Sequence, residues 1–409
     1  MRVVLVHNRY RSAAPSGENR VVDIEGGALA AAGHEVIRFE KGSDEIEHWS
    51  RAKKASLPAR VVWSRESRRG LTETLREHRP DVVHVHNTFP LLSSAVLYAC
   101  RDAAVPVVAT VHNYKLACVS GDFFRRGAVC HDCARGLPVP GVQHGCYRGS
   151  RVASAPVAVA IGAHRSAWKS LVSAYVFISA SQRDLLGGLG LTPDRVFVRH
   201  NLIPRRSVPA LPREPAVVYA GRLDEAKGLP LLMGAWDRYC QAPGGPGLRL
   251  VIAGAGPLDR EVAAWASARP SVDMVGYVDS GRCAELIARA RAVLVPSAWE
   301  ETFGLVAVEA MAVGTPPIAA GHGSFVELIS PGIDGVLFRP GDPGELALAI
   351  ADAEAHPEQY EAYGDQARKT YEQRFDPDQS LKDLLEIYGF AIGNPRVMPP
   401  RQEARGGPV

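Results

Sequence analysis

Short runs of β-branched and other apolar residues alternate with longer segments whose apolar positions recur at helical spacing, and this rhythm fills most of the chain. It opens with a strand over Arg2–His7, a helix near Glu18–Ala32 and a strand over Glu35–Phe39, with Gly33-His34 as the turn between them. It continues through a strand over Asp81–Val85, an apolar segment near Leu91–Ala103, and strands over Pro106–Val111, Ala174–Ile178 and Arg195–Arg199, with a helix near Ser181–Leu189. Strands carrying apolar runs, separated by helices, predict a parallel sheet covered on both faces.

The pattern breaks between Leu202 and Pro215, where four prolines and no apolar period mark a linker. A first domain over 1–200 and a linker over 201–215 are therefore expected, followed by a second domain over 216–375 in which the rhythm restarts. Its strands fall at Ala216–Ala220, Leu248–Ala253, Val272–Gly276, Ala292–Pro296 and Pro317–Ala320. Its helices are predicted after Lys227, from Pro257, near Gly281–Arg291 and near Gly304–Val313. A last helix over 376–392 is expected to cross back to the first domain, and 393–409, rich in Pro, Gly and Arg, reads as a flexible tail. The predicted class is α/β: two Rossmann-like, doubly wound domains facing each other. Ligands of open parallel sheets lie beyond the carboxyl ends of the strands, so two such domains define one shared cleft.

Composition narrows this picture. The 409 residues exceed what one core usually organises, and 46% apolar with 22% charged residues excludes a mostly disordered or fibrous chain. Against 47 Lys and Arg stand 44 Asp and Glu, a net +3 that does not suit a dedicated nucleic-acid binder. The apolar stretch Val152–Ala163 is well short of the roughly 20 residues a membrane span needs. Val3–Val6 follows Arg2 directly and stops at His7, too brief for the apolar core of a signal peptide, so the expected location is cytoplasmic. Seven cysteines, an odd number, argue against a disulfide framework in that compartment.

The candidate chemistry sits at strand ends. After the strand ending at Pro296, a loop carries Glu301 and a helix beginning near Gly304 carries Glu309. A helix amino terminus offers unpaired N–H groups to a phosphate, while carboxylates on either side suit neutral hydroxyls, one of a sugar and one of a ribose. The competing reading makes Glu301 a helix cap and Glu309 the partner of a surface cation. Arg222 and Lys227 follow the first strand of the second domain, where a guanidinium and an ammonium can neutralise a diphosphate, or be ordinary solvated charges. Gly254-Ala255-Gly256 lies at the next junction and reads as a plain turn. In the first domain Ser16-Gly17-Glu18 occupies the phosphate-contacting position, yet no Gly-x-Gly-x-x-Gly is present, which disfavours a nicotinamide cofactor. His112 ends a strand at the cleft edge and could donate to a sugar hydroxyl or be structural. His84 and His86 share one sheet face and read as packing or cleft lining.

Taken together, Glu301-x7-Glu309, Arg222-x4-Lys227, Gly17, the Gly33-His34-Glu35-Val36 turn and the His112 strand end resemble the retaining glycosyltransferases of family 4, which have the GT-B architecture. The resemblance spans nearly the whole chain. It implies that Arg222 and Lys227 bind the donor diphosphate, Glu309 the ribose, and Glu301 with the backbone of Phe303, Gly304 and Leu305 the transferred sugar. It also puts His112 near the sugar's 6-hydroxyl and Gly17 on the acceptor side of the diphosphate. The implied reaction moves a sugar from a nucleotide-diphosphate donor, a UDP-sugar before a GDP-sugar, to an acceptor glycan, lipid-linked sugar or small aglycone. No catalytic metal is expected at the diphosphate. Front-face attack, with the leaving phosphate helping to deprotonate the acceptor, needs no carboxylate nucleophile, and none is placed beneath the anomeric carbon in the first domain. The alternatives are a sugar-nucleotide epimerase of the same architecture and a non-catalytic two-domain sugar binder.

Two further segments stand out. An insertion over 115–149 holds Cys118, Cys130, Cys133 and Cys146 among Gly, Pro and Arg, with little core-forming material. A central Cys-x2-Cys flanked by two more cysteines suits a structural four-thiolate zinc site, with His131 and His144 as substitutes; reduced thiols are the other reading. The stretch 49–70 carries Arg51, Lys53, Lys54, Arg60, Arg65, Arg68 and Arg69 beside Trp49 and Trp63, against Glu66 alone. It reads as a solvated helical face, or as peripheral contact with anionic lipid at the inner face of the membrane.

Overall fold

The computed structural model describes residues 1–12, 16–205, 212–243 and 245–396. The first sheet contains β1 (Arg2–Arg9), β2 (Glu35–Gly42), β3 (Val82–Asn87) and β4 (Val107–Val111). A short hairpin, β5 (Phe124–Arg125) and β6 (Ala128–Val129), lies in the cysteine insertion, and β7 (Ala174–Phe177) and β8 (Val196–Val198) complete the sheet in the order β2-β1-β3-β4-β7-β8. The second sheet contains β9 (Ala216–Ala220), β10 (Arg249–Ala253), β11 (Val272–Gly276), β12 (Ala292–Val295), β13 (Pro317–Ala320) and β14 (Val336–Phe338), in the order β11-β10-β9-β12-β13-β14. Every pairing within the two six-stranded sheets is parallel.

The physical cause is burial on both faces. β3, β4, β7, β12 and β13 are buried at every position, because helices pack on each side. Each sheet accordingly has two apolar cores. One face of the first is closed by Leu384, Ile387, Tyr388 and Ala391 of the carboxyl-terminal helix Pro377–Gly393, which lie against Val3, Leu5, Val108 and Val176. At about 25 cal/mol per Å² of apolar surface, residues fully buried in this way each contribute on the order of 2 kcal/mol, so this helix belongs energetically to the first domain. The flexible tail expected over 393–409 lies almost wholly outside the described residues, as does part of the linker.

Strand order reverses between β1 and β3 in the first sheet and between β9 and β12 in the second. Loops leaving neighbouring strands at such a point diverge to opposite faces and open a crevice. Arg222 and Lys227 follow β9 and Glu301 follows β12, so the second domain's site residues flank its crevice. In the first domain Gly17 follows β1, His86 is in β3 and His112 follows β4.

Some elements were not visible in the sequence pattern. The stretch around Val152–Ala163 belongs to a 21-residue helix, Arg151–Leu171, which carries a proline at position 156. Among the described residues no helix is long and apolar enough to cross a membrane. β14 and the helices Pro343–Ala355 and Pro357–Arg374 also carry no distinctive run; Leu346 and Ile350 of the former are fully buried, but lie among alanines.

Candidate active site

Two loops of the second domain are pressed together by a glycine. Gly228 has φ 77°, and a Cβ there would collide with the carbonyl of Pro296, so the loop after β9 lies directly on the end of β12. This seats Lys227 over the neighbouring loop: its Nζ donates to Glu301 Oε1 at 2.5 Å and lies 5.2 Å from the Trp299 ring. Ser297 Oγ donates to the same carboxylate oxygen at 2.8 Å. Burial pushes the Glu301 carboxyl up, but the Lys227 charge and these hydrogen bonds outweigh it and hold the group below the usual carboxylate range. Glu301 is therefore ionised and does not cap the following helix.

That helix, Leu305–Ala312, begins after Gly304 at φ 80°, where a Cβ would strike the Phe325 ring, and no side chain caps its amino terminus. Phe303 is 1% exposed and packs near His200 and Phe375, so its backbone rather than its ring faces the loop region. Arg222 stands half exposed at the rim, paired with Asp224, whose other oxygen accepts from the Lys227 amide at 2.8 Å. The Gly254–Gly256 turn packs on the backbone of Gly221 and Leu223 and supports this loop rather than facing the cleft.

The first domain meets these groups. A Cβ on Gly17 would lie 2.7 Å from Leu305 Cδ1, so the amino-terminal helix Gly17–Ala31 starts against the opposing helix terminus. Arg20, one turn on, pairs with Glu309. Thr302 Oγ1 donates to the His112 carbonyl at 3.0 Å, and Tyr114 donates to the Glu300 carbonyl at 3.1 Å. His131 of the cysteine insertion lies 2.5 Å from Glu300 Oε2. All the residues expected at the cleft thus come from both domains to one region, with Lys227 and Arg20 resting on the two carboxylates.

Sequence reasoning missed Glu18. It sits beside Gly17, accepts from Tyr10 and from Asn113, each at 3.1 Å, and lies 4.0 Å from His7 Nδ1. Burial dominates and raises its carboxyl to about 7. The first domain therefore does bring an acidic group to the cleft; the only signal was its position next to the glycine. The histidines read as packing are also more than that. His86 Nδ1 lies 2.9 Å from His112 Nε2, and His84 is held by Tyr388 and Thr110, each at 2.7 Å. Glu25, paired with Arg199 at 2.6 Å, completes a wholly buried polar group behind the cleft.

Outside the cleft, Cys118, Cys130, Cys133 and Cys146 line one cavity of about 300 Å³ with His144, and all are free thiols. Among the described residues, the trio of ligand atoms gathered within 4.8 Å of one another is Glu25, His84 and His86, not a set of these sulfurs. A tetrahedral zinc with Zn–S of about 2.3 Å needs sulfurs about 3.8 Å apart, so the four thiols match such a site in number while their spacing is wider than zinc requires. In the basic stretch, Lys53 and Arg60 lie over Trp49, Arg68 over Trp63, and Lys41 and Arg60 pair with Glu66, holding its carboxyl down to about 2.

Residues 15–206 match the family model described as Glycosyltransferase Family 4, and residues 204–370 match Glycosyl transferases group 1. The chain belongs to the family 4 glycosyltransferases. It is 27% identical to the glycogen synthase of Mycobacterium tuberculosis (strain H37Rv), over 98% of this chain and 97% of that one. It is also 27% identical to an uncharacterized glycosyltransferase of Methanocaldococcus jannaschii, over 46% of this chain and about half (48%) of that protein's length. The solved structure of Anabaena HepE in complex with UDP-glucose covers 95% of this chain and 99% of its own, with a TM-score of 0.67 at 19% identity, and shares the GT-B fold. The protein is a glycosyltransferase with two Rossmann-like domains.

Proposed function

We propose that this glycosyltransferase moves a sugar, with retained anomeric configuration, from a nucleoside-diphosphate donor to an acceptor hydroxyl. The observation that carries the reading is the convergence of Lys227, Glu301, Glu309, Gly17 and His112 from two domains on one uncapped helix terminus. A donor diphosphate entering there takes over Lys227 and Arg222, with the backbone N–H groups at Leu305 as the third positive element. Its sugar and ribose hydroxyls then find Glu301 and Glu309, which exchange their present cations for neutral donors. Because Lys227 and Arg222 accompany the departing diphosphate, the chemistry is read as independent of a metal at that point, and transfer should proceed without added divalent cation.

A UDP-sugar is the favoured donor, supported by the fold shared with a protein solved with UDP-glucose. On the acceptor side, a narrow crevice lined by Phe89, Leu116, Ile161 and Trp168 lies beside Lys115, three residues beyond His112. Its apolar lining suits the apolar part of a lipid-linked sugar or an aglycone better than a soluble glycan. In the basic stretch 49–70, Lys53, Arg60 and Arg68 rest on its own tryptophans and Arg60 also pairs with Glu66, which favours a solvated face over lipid contact. The cysteine cavity is read as a structural zinc site that contracts on metal binding; metal analysis of protein purified without chelator tests it, and four freely titratable thiols with no zinc would exclude it.

The deciding experiment is incubation with UDP-glucose and other nucleotide sugars, with and without acceptor, followed by product analysis. Transfer with an α-linked product from an α-linked donor is expected. One observation favours a second reading: Glu18, with its carboxyl near pH 7, is the acid/base group an epimerase requires. An isomerised nucleotide sugar formed without any acceptor would support that reading instead.

A further inference from the structure

Behind His112 the structure holds a chain of buried groups whose proton positions follow from one another. Glu25, on helix Gly17–Ala31, is 1% exposed and pairs with Arg199 at 2.6 Å. Burial pushes its carboxyl up, but Arg199 together with His84 and His86 outweighs burial and keeps it ionised. Its Oε1 lies 3.2 Å from His84 Nδ1 and 3.5 Å from His86 Nε2, and His86 Nε2 is buried with no other hydrogen-bond partner. A bare ring nitrogen opposite a carboxylate oxygen would repel it and stay unsatisfied, so the proton of His86 belongs on Nε2.

His86 is neutral, since burial and the neighbouring His84 lower its basicity more than Glu25 raises it. With the proton on Nε2, its Nδ1 carries only a lone pair. The 2.9 Å contact to His112 Nε2 then requires the hydrogen from His112. Burial holds the His112 imidazole down to about 3, so it too has a single proton, and Nδ1 is left bare. Among the described residues His112 Nδ1 has no protein hydrogen-bond partner, and it is not among the sealed polar atoms of the interior. The other groups facing this chain are His7, His84 and Tyr388; His84 Nε2 bonds Thr110, its Nδ1 is shared between Tyr388 and Glu25 Oε1, and His7 Nε2 bonds Asn19 at 2.8 Å, so none competes for His112.

We propose that Glu25 and His86 are positioning residues that fix the tautomer of His112, so that Nδ1 accepts a hydrogen bond from a hydroxyl of the bound sugar and rejects a sugar that offers only an acceptor there. The specificity half of this inference rests on the cleft being the sugar site; the tautomer half does not. A sugar whose hydroxyl is methylated at that position presents an oxygen to a bare nitrogen and loses the contact.

The test is nitrogen NMR of the full chain with ring-labelled histidine, assigned by His112→Asn. Wild-type His112 is expected to show a pyridine-like Nδ1 and a pyrrole-like Nε2. His86→Leu removes the lock and is expected to give mixed tautomers, with kcat/KM for transfer down about tenfold and the affinity for UDP alone unchanged. His86→Asn keeps a carbonyl able to accept from Nε2–H and should restore the single tautomer and most of the rate, a rescue that mere filling of space by Leu does not give. A pyrrole-like Nδ1 in the wild type would overturn the proposal. A pyridine-like Nδ1 in a protein that binds no nucleotide sugar would instead sink the functional reading of the cleft and leave the tautomer standing.

Discussion

The two sides of the cleft are built on opposite principles. On the second domain the cations reach the rim: Lys227 is 28% exposed and rests on the buried Glu301 of the neighbouring loop, and Arg222 is 51% exposed and rests on Asp224 two residues on. On the first domain Glu25, Arg199, His84 and His86 are sealed, with side chains at most 3% exposed. A pair with one member open to water is weakened by that exposure, so a ligand that brings its own charge and hydroxyls can replace one partner. Buried pairs are the reverse, since removing one member strands the other in a medium that cannot solvate it. One side is thus made to exchange partners and the other to hold one arrangement.

The strongest way to break this contrast is Glu25→Ala, which strands Arg199 and should cost about 3–5 kcal/mol of stability, read by denaturant unfolding. An effect below 1 kcal/mol would mean the buried group is not the rigid side. Next comes Glu18, whose folded carboxyl titrates near 7 against an unfolded value near 4.5. The native state therefore binds more protons between those values, and stability falls as pH rises through the window, by up to about 3 kcal/mol. Thermal melts from pH 4 to 8 should show this limb in the wild type and lose it in Glu18→Gln.

On the exchanging side, Lys227→Ala should lower kcat by about 100-fold or more with a smaller loss of stability than Glu25→Ala, because its charge matters most as the diphosphate leaves. The smallest effect is expected for Glu309→Ala: about tenfold weaker nucleotide binding by titration, the loss of one charge-assisted hydrogen bond to the ribose. Equal stability losses from Lys227→Ala and Glu25→Ala would erase the distinction between the two sides.

Much of this architecture was legible in the sequence because parallel strands buried on both faces leave unbroken apolar runs, as at Val3–Val6 and Ala292–Val295. Gly228 and Gly304 combine a positive φ with close approach, and Gly17 opens its helix against Leu305. β14 was missed because its three residues are too few to show a period, and helix Pro357–Arg374 because Tyr and Ala at its buried positions give a weak contrast with its polar face. Glu18 and Glu25 were missed for another reason. On a helix an acid normally points to water, and only the packing against β1, β3 and Arg199, some 174 residues away in the chain, turns Glu25 inward.

The central claim is that both domains close on the diphosphate of an activated sugar through Lys227 and Arg222. Calorimetric titration of the wild type and of Lys227→Ala/Arg222→Ala with UDP and with uridine tests it directly, with GDP and guanosine in parallel. The account predicts that the preferred diphosphate binds the wild type at least about 100-fold tighter than its nucleoside, and that the double variant loses most of that advantage. The same diphosphate advantage in both proteins would contradict it.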